Sequence, residues 1–218
     1  MQKRLIIFDL DGTLLDTIGD LAGAVNRALE RLGYPTHPRE AYRFMVGSGI
    51  MALFERALPE QERSEENKLR VKELFVPWYD LHNADLTCPY EGIVELLNTL
   101  SERGVSLAVA SNKYQRATEK LVGHYFPTTP FCAVLGQREG VAVKPSPAIV
   151  WDAMRLAGVE NKSEVLYVGD SDVDMLTGHN AGVDVVGVSW GFRPREELAA
   201  HAPKAIIDSP AELLGLLE

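Results

Sequence analysis

The chain has 218 residues, of which 46% are hydrophobic and 24% charged, and its formal net charge at pH 7 is −9. That is enough for one domain, or for a core domain carrying an inserted module, and too apolar for intrinsic disorder. The acidic balance, with 22 basic residues scattered and no Lys/Arg-rich run, excludes a nucleic-acid binder working by phosphate neutralisation.

Met-Gln-Lys-Arg is a basic start, but Asp9 and Asp11 cut the following apolar run too early for a signal peptide. No apolar stretch approaches the ~20 residues of a membrane span, so no membrane partner is expected. Cys88 and Cys132 are too few for a disulfide framework and read as reduced thiols in a cytoplasmic protein.

Leu5–Phe8 is a short apolar run closed by Asp-Leu-Asp-Gly, as in a strand buried on both faces. Leu21, Val25, Ala28, Leu29 and Leu32 recur at helical spacing. Thr17 or Asp20 can cap that helix, and Gly33 with Pro35 ends it. Residues 38–83 stay helical in character, broken at Met45-Val46-Gly47-Ser48-Gly49. Leu69, Leu74, Phe75, Trp78 and Leu81 fit one long amphipathic helix, with Pro77 a possible kink.

After Pro89 the pattern changes to alternation. A helical face (Ile93, Leu96, Leu97, Leu100) precedes a strand at Val105–Ala110, a helix near 114–122 and a strand near 132–135. Ile149, Ala153, Leu156 and Ala157 mark another helix. Val165–Val168 is a strand ending at Gly169-Asp170, with a helix to about Asn180 and strands at Val183–Val188 and 205–207. Leu213, Leu214 and Leu217 lie on a closing helix. This spacing predicts an α/β fold, a Rossmann-like doubly wound parallel sheet. The helical block of residues 16–83 reads as a cap inserted after the first strand, leaving residues 1–15 and 84–218 as the core.

Ligands of open α/β sheets sit at the carboxyl ends of strands. Asp9 and Asp11 follow the first strand. Ser111, Asn112 and Lys113 follow the second. Gly169, Asp170, Ser171, Asp172 and Asp174 follow Val165–Val168. Lys144-Pro145 lies in the loop before the intervening helix. Each motif alone has a plain structural reading as a turn, a helix cap or a solvated loop. Those readings do not explain all four in order at one sheet edge, where packed carboxylates repel unless a cation holds them.

Oxygen-only ligands indicate a hard cation, Mg²⁺. The histidines at 37, 82, 124, 179 and 201 are too dispersed for a zinc site. Carboxylates, a metal and a lone lysine suit phosphoryl transfer. Asp9 at the strand end can be nucleophile and metal ligand. Asp11, two residues on, projects from the same side of extended backbone and can protonate the leaving oxygen. Gly12 permits the turn that aims both.

Phe8-Asp9-Leu10-Asp11-Gly12-Thr13-Leu14-Leu15-Asp16, Ser111-Asn112-Lys113, Lys144-Pro145 and Gly169-Asp170-Ser171-Asp172-Val173-Asp174 resemble the four motifs of the haloacid dehalogenase superfamily of phosphatases. The resemblance implies a mobile helical cap and an aspartyl-phosphate on Asp9. It makes Asp11 the general acid/base, with its backbone carbonyl on Mg²⁺, and Asp170 the acidic metal ligand. Ser111 and Lys144 would hold the phosphoryl oxygens, and Asp174 would position Lys144 or a metal-bound water. Asp11 favours phosphate esters over carbon–halogen bonds.

Within that superfamily, Leu15-Asp16-Thr17, Leu32-Gly33-Tyr34-Pro35 and Val46-Gly47-Ser48-Gly49 look like the phosphoglycolate phosphatases. Gly47, Ser48 and Gly49 are expected to reach the substrate, as are Thr13, Asn112 and Asp174. Arg43 or Arg56 is a candidate for a substrate carboxylate. The expected partner is a small phosphorylated metabolite, and the chain would act as a monomer or homodimer. Pyrophosphatase, sugar-phosphate phosphatase and phosphomutase activities are the alternatives.

Overall fold

The computed structural model describes residues 2–217. Six parallel strands form one sheet: β1 (Leu5–Phe8), β4 (Ser106–Tyr114), β5 (Phe131–Gln137), β6 (Val165–Gly169), β7 (Asp184–Val188) and β8 (Ala205–Ile207). Their order is β5-β4-β1-β6-β7-β8, so the winding direction reverses beside β1. The core helices are α4 (Ile93–Glu102), α5 (Gln115–Tyr125), α6 (Ala148–Ala157), α7 (Asp172–Ala181) and α8 (Arg195–Ala199).

The β1 run is apolar at every position because both faces are covered. Ile6 and Phe8 join a cluster with α4, while Leu5 and Ile7 join the opposite cluster with α6. This is the period of two expected of a central strand. Register then builds the site edge. Phe8 lies opposite Val109 on one side and Val168 on the other, so Asp9, Ser111 and Asp170 emerge at nearly the same level.

Between β1 and α4 the chain runs through α1 (Ile18–Leu32), α2 (Ile50–Ala57) and α3 (Glu65–His82). A two-stranded antiparallel link, β2 (Leu15–Asp16) with β3 (Cys88–Pro89), joins this helical block to the sheet. Asp20 stitches its entry to its exit: the carboxylate accepts from Leu86 N, Thr87 N and Thr87 Oγ1. Gly33, at φ 78°, takes the left-handed conformation that ends α1.

Three expectations need correction. β4 extends through Ser111-Asn112-Lys113, so these residues are held by the sheet and not by a following loop. The closing helix is a 3₁₀ segment, Pro210–Leu216. In α3 the buried residues are Lys68, Val71, Phe75 and Tyr79, whereas Leu69 and Leu81 are 50% and 75% exposed. Of the expected stripe, Phe75 is buried and Leu74 and Trp78 pack partly buried against the helical cluster, but Leu69 and Leu81 lie outside it. Tyr79 buries its ring against Phe75, and Lys68 buries its stem while its ammonium reaches Glu65 and Glu55. Among the described residues, no helix is long and apolar enough to cross a membrane.

Candidate active site

Asp9 is 6% exposed at the end of β1. Its Oδ1 lies 2.8 Å from Lys144 Nζ as an ion pair without hydrogen-bond geometry, so that buried oxygen has no hydrogen-bond donor among the described residues. Lys144 Nζ also donates to Asp174 Oδ1 (2.7 Å), Tyr167 Oη (3.2 Å) and the Ala110 carbonyl (3.1 Å). Asn112 fixes the lysine's backbone: its Oδ1 accepts from Lys144 N and its Nδ2 donates to Lys144 O.

Asp170 ends β6. Its Oδ2 accepts from Phe192 N at 2.7 Å and its Oδ1 from Thr13 Oγ1 at 3.3 Å. Ser171 caps α7 in a reciprocal box with Asp174, whose Oδ2 accepts from Ser171 N and Oγ. The helix start therefore positions Asp174 as well as closing the strand. Two glycines let the backbone crowd Asp170. A Cβ on Gly12 (φ 89°) would meet its Oδ2 at 2.2 Å, and one on Gly191 would meet its Cβ at the same distance.

Ligand oxygens of Asp9, Asp170 and Asp174 lie within 4.8 Å of one another. Burial first, then the charge of Asp174, pushes the Asp9 carboxyl up to about 7, despite Lys144. Burial, Asp174 and Asp9 likewise raise Asp170 well above the carboxylate range. Burial alone would lower the Lys144 ammonium, but Asp174 and Asp9 hold it above its usual value. One lysine does not neutralise three buried carboxylates, and an orphaned carboxylate oxygen sits among them. The donor set is all oxygen and fits a divalent cation. The clustered third carboxylate is that of Asp174, whereas Asp11 turns elsewhere.

Asp11 Oδ1 accepts from Thr17 Oγ1 at 2.6 Å and lies 3.0 Å from Lys113 Nζ. Both Asp9 and Asp11 line one cavity with Ser111, Asn112, Lys113, Asp170, Arg43, Gly47 and Gly49, and Leu21, Ile50 and Leu53 give it an apolar side. It leaves about 40 Å³ for the centres of water-sized atoms, roughly three waters' worth of space. The core grips the helical block around it. Asn112 Nδ2 donates to Gly47 O, and Arg193 donates to the carbonyls of Arg43 and Val46.

A sequence profile described as haloacid dehalogenase-like hydrolase matches residues 6–188. The chain belongs to this family. The phosphoglycolate phosphatase of Vibrio parahaemolyticus is 35% identical over 98% of the chain and 96% of its own length. That of Haemophilus influenzae is 33% identical over 99% of each. A crystal structure from Lactobacillus delbrueckii subsp. bulgaricus, provisionally assigned as a phosphoglycolate phosphatase, superposes with TM-score 0.93 at 32% identity. That match covers 100% of this chain and 99% of the other. This haloacid dehalogenase-like hydrolase is a phosphatase resembling the phosphoglycolate phosphatases.

Four positions expected at the substrate are placed differently in this hydrolase. Thr13 is fully buried and spends its hydroxyl on Asp170. Asp174 is fully buried behind Lys144. Ser48 turns to Arg56, which also donates to Met45 O, so neither lines the cavity. Sequence reasoning did not identify Tyr79, Phe192 and Arg193 as site residues. Tyr79 was missed because the expected α3 stripe ran through Leu69 and Leu81 and left it out. Phe192 and Arg193 lie in a loop after β7 that carries no motif, although a loop at the carboxyl end of a parallel strand is itself a signal.

Proposed function

We propose that this phosphatase hydrolyses 2-phosphoglycolate through an aspartyl-phosphate on Asp9, with Mg²⁺ as cofactor, in the cytoplasm. The observation that carries the mechanism is the position of Asp9. It follows the central strand and lines the cavity, and its Oδ1 is ion-paired with Lys144 yet receives no hydrogen bond among the described residues. Asp9, Asp170 and the Asp11 backbone carbonyl would hold the cation. When bound, the metal neutralises phosphoryl oxygens and aligns the phosphate with Asp9.

The remaining steps belong to side chains. Asp9 attacks phosphorus and the ester oxygen leaves with a proton from Asp11. Asp11 then takes a proton from the water that attacks the acyl phosphate, and phosphate departs. Ser111 and Lys144 bind phosphoryl oxygens throughout. Asp174 orients Lys144.

The substrate assignment rests on the relatives and on the charge of the cavity. Arg43 lines it, donates to Gly191 O, and has no carboxylate partner among the described residues, so it is available for a substrate carboxylate. Helices α1–α3 would form a cap of residues 16–83 over a core of 1–15 and 84–218. This cap would open for exchange and close to exclude water.

The test is phosphate release across small esters, pyrophosphate and sugar phosphates. We expect 2-phosphoglycolate to have the highest kcat/KM. A hexose phosphate or pyrophosphate that exceeds it removes the assignment, and an isomeric sugar phosphate as product makes the protein a mutase. Exhaustive EDTA should lower turnover at least ~100-fold and Mg²⁺ should restore it. Ca²⁺ should restore it poorly, since its looser coordination misaligns the reacting atoms. Full activity after chelation contradicts the metal.

A further inference from the structure

The site divides its acids between two lysines. Lys144 takes Asp9 and Asp174, and Lys113 takes Asp11. Lys113 is 6% exposed on β4, and Asp11 is its only carboxylate partner among the described residues. Its Nζ also donates to Tyr79 Oη at 2.9 Å, and it lies 4.8 Å from the centre of that ring.

Tyr79 comes from α3, in the helical block. It is fully buried, stacked on Phe75 with centroids 5.0 Å apart, and Phe75 packs edge-on against Phe54 of α2. The ammonium is thus held from one side by a rigid aromatic stack and from the other by Asp11. The Asp11 carboxylate is asymmetric in turn. Thr17 and Lys113 both occupy Oδ1, and Oδ2 has no hydrogen-bond partner among the described residues.

We infer that Lys113 and Tyr79 are positioning residues for the general acid. They clamp one oxygen of Asp11, leaving Oδ2 as the oxygen that carries the proton to the leaving group. Because Tyr79 belongs to α3, this alignment is completed only while the helical block rests on the sheet. The inference builds on the proposed acid role of Asp11. It adds a link from that acid to the packing of the helices above it.

General acid catalysis matters most when the leaving group is a poor one. The informative substrates are phenyl phosphate and 4-nitrophenyl phosphate, which are similar in shape and carry no carboxylate for Arg43 or Lys113 to read. Phenolate, with an ordinary pKa near 10, needs the proton far more than 4-nitrophenolate does. In a covalent mechanism kcat/KM reports only the steps through leaving-group departure, so the later base role of Asp11 drops out.

Lys113→Met should lower kcat/KM for phenyl phosphate on the order of tenfold more than for 4-nitrophenyl phosphate. Tyr79→Phe keeps the ring stack and should change the ratio in the same direction, by about threefold. Asp11→Asn serves as the reference and should show the largest change in ratio. If Asp11→Asn is selective while the Lys113 and Tyr79 variants slow both esters equally, or neither, the positioning inference is overturned alone. If Asp11→Asn is itself unselective, the acid role fails and the inference with it. Should Lys113→Met not fold, the Tyr79→Phe ratio decides.

Discussion

Asp9→Asn is expected to lower kcat/KM by about four orders of magnitude or more while the chain still folds. The amide keeps the shape of the carboxylate but cannot attack phosphorus, and losses of this size accompany removal of other covalent nucleophiles. Retention of a tenth of the turnover by the purified variant would rule out covalent catalysis at Asp9. A second readout addresses the electrostatics that prepare the nucleophile. In the folded, metal-free protein the Asp9 carboxyl is raised from 3.8 to about 7, chiefly by burial and by Asp174. The folded protein therefore binds this proton more tightly than the unfolded chain does. The resulting stability is fully present below about pH 4 and is lost as pH rises through about 7. In EDTA, wild type should lose a few kcal/mol relative to Asp9→Asn between pH 4 and pH 8, measured by urea unfolding. A pH-independent difference would mean that Asp9 is not desolvated as the structure shows.

The same electrostatic pressure explains why the site was legible in the sequence while much of its surroundings was not. Asp9, Asp11, Lys144 and Asp170 announce themselves because each follows a strand or opens the adjoining loop, and because so many acids at one sheet edge have no purely structural reason. The parallel sheet was equally readable from the uninterrupted apolar runs at Leu5–Phe8 and Val165–Val168, whose burial on both faces leaves no alternation to misread. Contacts between distant segments carry no such trace. Thr13 looks like part of a substrate loop, and only the fold reveals that its hydroxyl meets Asp170, 157 residues away. Tyr79 and Lys113 are 34 residues apart on elements whose packing no periodicity encodes. The α3 stripe was right at Phe75 and incomplete elsewhere for a related reason. A buried helix face is defined by what packs on it, and here that face includes a tyrosine and the stem of Lys68, while Leu69 and Leu81 remain outside.

Lys144→Met should be costly in two separable ways. The methionine fills most of the volume, so the loss is chiefly of charge and hydrogen bonds. Asp9 and Asp174 then share a buried site with Asp170 and no cation. Removing one partner of a buried ion pair typically costs about 3–5 kcal/mol, because the charge left behind is uncompensated. For a chain of this size that corresponds to a melting temperature lower by ~10 °C in EDTA. Acid should relieve it. Without Lys144 the carboxyls bind protons still more readily in the folded state, so the gap to wild type should narrow as pH falls from 8 towards 5. Divalent metal should also narrow it by supplying the missing positive charge. Catalysis should not recover under either condition, since no side chain then replaces the ammonium on the phosphoryl oxygens. We expect kcat/KM to fall by about 10³-fold, and equally for 2-phosphoglycolate and 4-nitrophenyl phosphate, because both present the same phosphoryl group. A variant that is unstable yet loses activity on only one of these esters would place Lys144 among the residues that read the rest of the substrate. A variant with wild-type stability at pH 8 in EDTA would show that the three carboxylates are not charged together in the folded protein.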